Sequence, residues 1–388
     1  MDADVIIVGS GPAGSYLAYN LAQNDINVLI LEKDPWPRYK ACGGALSGKT
    51  INLLYNDGVH LPDSLIENSI GDFTFRFGYK KTFYFEYPGQ EIKLVNRKKF
   101  DNYLLKQAYK ARADFRDNEK VTDIKISNEK VIVESDKNSY RTSIVVGADG
   151  ANSKTAQILK LFPEDINKNK GMAIESEIYI NNTNYQKQNE IIIDFDFIKE
   201  GYAWVFPKKN QLSVGLGTYE FRDNNIKEKL FDYLQKLNIS YEKDKLFYRG
   251  HPIPAAGFDA SNIKIAGKRF ILIGDAAFLA DPFVGEGIYN ACLSAKIAAK
   301  NIIKSLDENK YDLISYQKEV KGKLYPQLMI SEKLAHWFYS NPAVFQRILS
   351  MKPALLDNFM EVIQGKSSYS RLFNLAKSNF VSLVMDKL

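Results

Sequence analysis

The chain opens D-V-I-I-V-G-S-G-P-A-G-S over Asp4–Ser15, and N-V-L-I-L-E-K follows at Asn27–Lys33. The apolar run Val5–Val8 predicts a buried parallel strand. Gly9, Gly11 and Gly14 supply G-x-G-x-x-G spacing where that strand turns into a helix. The first glycine permits the tight turn, the second lets backbone approach a pyrophosphate, and the third lets helix and strand pack closely. An anion then sits on the helix N-terminus, favoured by unpaired N–H groups and the macrodipole. Leu17, Leu21 and Ala22 turn that helix inward, and the strand Val28–Leu31 ends at Glu32, placed to accept from a ribose. Glycine-bearing turns with this spacing also occur by chance, but here strand, turn, helix, strand and acid stand in order.

Outward from this stretch, totals bound the rest. A chain of 388 residues buries a large core and divides into two joined domains. A net charge of +6 with both signs interspersed does not suggest a nucleic-acid partner, though it is compatible with mild attraction to anionic lipid. Two cysteines, Cys42 and Cys292, and no secretory apolar segment predict a reducing, cytoplasmic compartment. No apolar run reaches the length of a membrane span. The three histidines, His60, His251 and His336, are scattered without a carboxylate at ligand spacing; they read as structural or solvent-facing, and no metal site is expected. No G-x-S-x-G elbow is present, so hydrolase chemistry finds no support.

After Glu32 the chain reads K-D-P-W-P-R-Y-K-A-C-G-G-A-L-S (Lys33–Ser47). Pro35 and Pro37 make this an ordered loop. Glycines beside Cys42 let backbone lie against a flat ligand; from spacing alone the plainer reading is a turn with an inert cysteine. Residues 45–60 read as a helix. Phe73, Phe75, Phe77 and then Phe83, Phe85, Tyr87 give a hairpin with an aromatic face around G-Y-K-K. A helix opens near Arg97, strands follow at Val121–Ile126 and Val131–Glu134, and Gly147, Asp149 and Gly150 form a tight turn after the strand Ile144–Val146. Residues 165–260 are strand-rich: Ile174–Ile180, Ile191–Phe197, Tyr202–Phe206 and Leu212–Thr218 read as an antiparallel sheet, with a helix near 225–237. Tyr202, Trp204 and Phe206 alternate onto one face, Pro207 ends the strand, and Gly215 and Gly217 leave room for something flat or long; a plain hydrophobic sheet face fits the same pattern. Phe270–Ile273 is a buried strand closed by Gly274-Asp275, and Pro282, Gly285 and Gly287 lead into a long small-residue helix. Residues 311–388 read as helical without a catalytic signature.

The N-terminal fingerprint, the G-A-D-G turn at Gly147–Gly150 and Gly274-Asp275 resemble the FAD-binding group that includes para-hydroxybenzoate hydroxylase. P-R-Y-K-A-C-G-G-A-L-S and Y-A-W-V-F-P, with the later G-L-G, resemble the geranylgeranyl reductase family, flavoproteins that saturate isoprenoid double bonds. The resemblance implies an α/β fold plus antiparallel sheet: a Rossmann-like FAD-binding domain of glutathione-reductase type (1–60, 95–165, 262–310), an inserted antiparallel substrate domain (61–94, 166–261) and a helical C-terminus (311–388). It implies that Ala13, Glu32, Arg97, Val121, Asp275, Gly287 and Ile288 contact FAD. Cys42, Gly43 and Ala45 would border the isoalloxazine, with Pro12, Lys33, Gly44, Asp149, Gly274, Pro282 and Gly285 in the same cofactor site. Tyr202, Trp204 and Phe206 would line a prenyl channel; the Cys42 thiol would supply or relay the proton, or change redox state to gate the flavin, with Tyr202 and Trp204 as its catalytic neighbours.

The expected reaction is FAD-dependent reduction of carbon–carbon double bonds in a prenyl chain on a lipid, quinone or pigment precursor. The runner-up is a flavin monooxygenase or halogenase of the same fold, and a non-enzymatic FAD carrier would not need Cys42. Only one G-x-G-x-x-G occurs, so electrons are expected from a ferredoxin or separate reductase, with NADPH as the other donor. A stripe of Leu372, Leu375, Ala376, Asn379, Phe380, Leu383 and Val384 suits either a peripheral contact with the inner membrane face or packing on the protein itself.

Overall fold

The computed structural model describes residues 1–78, 81–87, 91–163, 170–180, 189–219, 225–241, 246–255 and 263–385, with side chains to 378. In chain order the first elements are β1 (Ala3–Val8), α1 (Pro12–Ala22), β2 (Val28–Leu31), β3 (Ala45–Leu46) and α2 (Gly48–Asn56). Then come β4 (Ile66–Ile70), β5 (Asp72–Phe77), β6 (Lys81–Glu86), β7 (Ile92–Val95), α3 (Arg97–Lys110), β8 (Asp114–Arg116), β9 (Val121–Ile126), β10 (Val131–Ser135), β11 (Ser139–Gly147) and α4 (Lys154–Ile158). The second half holds β12 (Gly171–Tyr179), β13 (Glu190–Phe195), β14 (Gly201–Pro207), β15 (Gln211–Thr218), α5 (Ile226–Lys236), β16 (Tyr248–Ile253), β17 (Ala266–Gly267) and β18 (Phe270–Leu272). Six helices end it: α6 (Ile288–Asp307), α7 (Ile314–Lys323), α8 (Tyr325–Ser340), α9 (Pro342–Met351), α10 (Leu355–Ile363) and α11 (Tyr369–Met385).

The opening stretch stands at the centre of an eight-stranded sheet ordered β17-β18-β11-β1-β2-β8, with β10 and β9 folded off β11. β1 pairs in parallel with both β2 and β11, and β11 with β18. Val5, Ile7, Val28, Ile30 and Ile144 pack one face against Leu17 and Leu21 of α1 and Ala295 and Ala298 of α6. The small residues of α6 are what let α1 and α6 lie close over the sheet.

The seven-stranded sheet, β16-β12-β15-β14-β13-β5-β6, draws on 72–86 and 171–253. All its pairs are antiparallel except β13 with β5. The aromatic hairpin takes its place at one edge, Phe73 opposite Phe85 and Phe75 opposite Phe83; the tip residues 79–80 lie outside the described residues. β7 instead stands between β3 and β4 in a separate three-stranded sheet. Leu46, expected in a helix, is therefore a strand residue, and the helix begins after the Ser47 cap, whose hydroxyl accepts from Thr50 N–H.

One face of the seven-stranded sheet carries Phe73, Phe75, Phe77, Ile191 and Phe195 against Phe338 and Tyr339 of α8, Phe345 of α9, Met360 of α10 and Leu372 and Ala376 of α11. Each fully buried side chain of this size contributes about 1.5–3 kcal/mol, so the C-terminal helices are bound to the sheet by its aromatic pattern. The opposite face packs on α5 through Leu230, Tyr233 and Leu234. Leu372 and Ala376 are thus internal, whereas the side chains of Asn379, Phe380, Leu383 and Val384 lie outside the described residues. Among the described residues no helix is long and apolar enough to cross a membrane.

Candidate functional site

A cavity of about 1050 Å³ runs from the start of α1 to the aromatic face of the seven-stranded sheet. That is at the upper end of small-molecule sites, about 300–1,000 Å³. At one end the glycines divide the labour. Gly9 has φ +103°, and a Cβ there would meet Ala148 O at 2.5 Å. Gly14 packs on β1, its Cβ position 2.0 Å from Gly9 O. Gly11 faces the cavity, where a Cβ would meet only the Arg38 guanidinium, at 3.6 Å. Gly11 also begins α1, which no side chain caps. Glu32, at the end of β2, accepts from Ser10 N–H at 3.0 Å, Ser10 hydroxyl at 2.7 Å and Asp34 N–H at 3.1 Å. Its carboxylate therefore ties the glycine turn to the second strand while lining the cavity.

Midway, the Lys33–Ser47 loop crosses the cavity. Gly44 has φ +77° and lies so close to Val95 O, 2.1 Å from a Cβ position, that no side chain fits. This puts Cys42 beside Arg97, the first residue of α3, whose guanidinium grips Asp101 at 2.8 and 2.9 Å. Burial works against the Arg97 charge, but Asp101 and the Cys42 thiol outweigh it and raise its pKa. Lys40 Nζ lies 2.5 Å from His251 Nε2, and that ring nitrogen lies 4.0 Å from Asp275. Burial first, then Arg97, lowers the Lys40 pKa to about 8. Burial also lowers His251, against the pull of Asp275. Asp275 itself is opposed by burial but held below the ordinary aspartate range by His251, Lys40 and Arg97. Beyond it, Gly287 begins α6, again without a side-chain cap, and Gly285 (φ +67°), Gly287 and Ile288 line the cavity.

The far end is apolar. Tyr202, Trp204 and Phe206 share one face of β14 with Phe195 and Ile193 on β13 and Phe73 and Phe75 on β5. Tyr202 donates to Val284 O at 2.7 Å, which fixes its ring against the loop before α6. Trp204 Nε1 donates to Ser213 at 3.3 Å. Helices α8 and α10 close this arm with Tyr339, Phe359, Met360 and Ile363.

The fold brings to one cavity Gly9, Gly11, Pro12, Ala13, Glu32, Lys33, Cys42, Gly43, Gly44, Ala45, Arg97, Val121, Asp149, Asp275, Gly285, Gly287 and Ile288, together with Tyr202, Trp204, Phe206 and Gly217. Five expected residues are not on its wall: Gly14, Pro207, Gly215, Gly274 and Pro282. Gly14 serves helix–strand packing. Gly274 (φ +58°) admits close contact with Ala13 and Ala291. Gly215 leaves room for no ligand, since the Trp204 ring already fills it, 2.3 Å from a Cβ position. Pro207 receives Asn68 on its carbonyl, and Pro282 sits in a turn closed by Asp281. Asp149 lines the cavity, but its carboxylate is taken by Ser153 at 2.5 Å and by Thr155 N–H and hydroxyl at 2.9 and 3.0 Å.

Sequence reasoning missed Arg38, Lys40, Glu175 and His251, and it read His251 as structural or solvent-facing. It also saw no catalytic signature in residues 311–388, although α8 and α10 wall the cavity. Arg38 and Lys40 lay inside the quoted loop and could have been singled out as cations four and two residues before Cys42. Glu175 and His251 had no local signal. Among the described residues no cluster of three or more His, Cys, Asp or Glu side chains offers a metal site.

The wall suits an elongated dinucleotide with a flat ring. Two uncapped helix N-termini, of α1 and α6, open on it. Gly11 leaves space for a phosphate beside Arg38, and Asp275 lies against the start of α6, its Oδ1 3.3 Å from a Cβ position on Gly287. The family described as "FAD binding domain" matches residues 2–321. The digeranylgeranylglycerophospholipid reductase of Methanocaldococcus jannaschii is 30% identical over 349 residues, covering 84% of each chain. A geranylgeranyl bacteriochlorophyll reductase-like protein from Thermoplasma acidophilum shares the fold, with TM-score 0.77, 21% identity and coverage of 100% of this chain and 99% of that one. A flavin-dependent brominase shares it too, with TM-score 0.72, 16% identity and coverage of 97% and 98%. The chain belongs to the geranylgeranyl reductase family of FAD-dependent oxidoreductases, and FAD is its cofactor.

Proposed function

We propose that this enzyme saturates carbon–carbon double bonds of an isoprenoid chain carried by a lipid, quinone or pigment precursor. The observation that carries the reading is the continuity of the cavity: one wall holds the α1 and α6 N-termini and Cys42, and the same space extends into the aromatic arm. When bound, reduced FAD supplies the hydride for an alkene that no carbonyl activates. The α1 turn with Arg38 would hold the pyrophosphate, Asp275 a ribityl hydroxyl, and Gly287 and Ile288 N–H groups the ring edge. Tyr202, Trp204, Phe206, Phe75 and Phe359 would bury the chain at about 0.8 kcal/mol per methylene-sized unit and exclude water. Cys42 Sγ would donate the proton, with the Arg97 guanidinium beside it.

Electrons would come from a ferredoxin or separate reductase, and a lipid substrate would bring the enzyme to a membrane surface. The test is anaerobic: holoenzyme reduced chemically is incubated with a panel of prenylated lipids and the products are weighed by mass spectrometry. Addition of hydrogen pairs to a prenyl chain is expected; no addition to any of them overturns the reading. The brominase likeness supports a second reading, an oxygen-using halogenase or monooxygenase. Halide-dependent oxygen consumption would favour it.

A further inference from the structure

Glu175 lies on β12 with 2% of its surface exposed, where two parts of the site meet. Its Oε1 accepts Cys42 N–H at 2.7 Å and the Tyr39 hydroxyl at 2.8 Å. Its Oε2 accepts the Ser213 hydroxyl at 3.0 Å, and Ser213 accepts Trp204 Nε1–H at 3.3 Å. An indole only donates, so this chain of bonds has one direction, from the tryptophan through Ser213 to the carboxylate. Strand register produces the alignment. Trp204 stands opposite Gly215 on β15, and Gly215 opposite Glu175 on β12. Because residue 215 has no side chain, the indole crosses over it to reach Ser213. A buried carboxylate is costly unless its oxygens are bonded, and here the partners come from the Cys42 loop and the sheet together.

We propose that Glu175 is a positioning residue that holds the Cys42 loop and Trp204 in one hydrogen-bonded frame, setting the thiol against the aromatic wall. The inference rests on the roles of Cys42 and the aromatic arm proposed above. Glu175→Met removes both acceptors at similar volume. Glu175→Gln keeps the frame, its amide oxygen taking Cys42 and Tyr39 and its NH₂ donating to Ser213.

The experiment is alkylation of the FAD-loaded enzyme by iodoacetamide, read at each cysteine by peptide mass spectrometry. Cys292, fully buried on α6, reports global loosening. In Glu175→Met, loss of a charged-acceptor bond is expected to speed Cys42 alkylation by about tenfold or more, with Cys292 unmodified. Glu175→Gln is expected to stay near the wild-type rate. If Glu175→Met does not retain FAD, Glu175→Asp, too short to reach both partners, is read in its place. With a prenyl substrate, the frame-breaking variant is expected to lose kcat with little change in KM, and Glu175→Gln to restore it.

Unchanged Cys42 alkylation overturns the proposal, as does equal acceleration at Cys292. Faster Cys42 alkylation in a protein that reduces no prenyl chain would support the frame while the reductase reading fails, so the two failures are distinguishable.

Discussion

The backbone of Gly43 lies against the ring of Phe206: a Cβ at Gly43 would come within 2.6 Å of ring carbons Cδ2 and Cε2 and 3.4 Å of Trp204 Nε1. The cysteine loop and the aromatic strand thus share one surface, and the contact exists only because position 43 has no side chain. Gly43→Ala is expected to destabilise the holoenzyme by about 1–3 kcal/mol through overpacking, seen as a lower Tm. Phe206→Leu in the same chain should return part of that loss. A Gly43→Ala protein as stable as wild type would show that the ring yields freely.

Glu32 has a double duty, bracing the Ser10 turn and lining the cavity. Glu32→Ala removes a charged acceptor worth about 1.5–3 kcal/mol, so the Kd for FAD should rise roughly ten- to a hundredfold. Titration of apoprotein with FAD measures it. Equal affinity would mean that Ser10 and Gly11 hold their turn unaided.

The Lys40 pKa of about 8 has a consequence for stability. It lies below the free-lysine value of 10.5, so between about pH 8 and 10.5 the unfolded chain binds more protons than the folded one. Stability from this group therefore rises with pH across that window, and its penalty is complete below pH 8. Lys40→Met removes the penalty. The variant should melt a few degrees above wild type at pH 7, with the difference closing toward pH 10. A gap that widens with pH would contradict the burial of this ammonium.

Cys42→Ala should keep FAD and fold, because Gly44 and Glu175 set the loop through backbone contacts. Alkene reduction should fall by about 10²–10⁴, the range for a lost general acid. Cys292 is the control: it lies in the α1–α6 core, where burial drives its thiol pKa up, and Cys292→Ala should cost about 1 kcal/mol and little rate. Wild-type turnover by prereduced Cys42→Ala enzyme would leave the thiol a structural group.

What the sequence by itself determined is local. The strand–glycine–helix–strand–acid order at Asp4–Glu32 dictates β1, α1 and β2, because glycine sterics and apolar periodicity act over a few residues. Period-two alternation likewise placed Tyr202, Trp204 and Phe206 on one face. The packing of that face was beyond its reach. Gly215 read as space for a ligand, yet the space belongs to Trp204, since a gap left by a glycine is filled by whichever neighbour the strand register delivers. Lys40 meets His251 across 211 positions, and Cys42 meets Glu175 across 133. Neither pairing has a local signature, because each depends on how the loop after β2 is laid over the second sheet. The closing of the cavity by α8 and α10 was decided in the same way, by an aromatic sheet face that had to be covered and a helical C-terminus that had a surface to cover it.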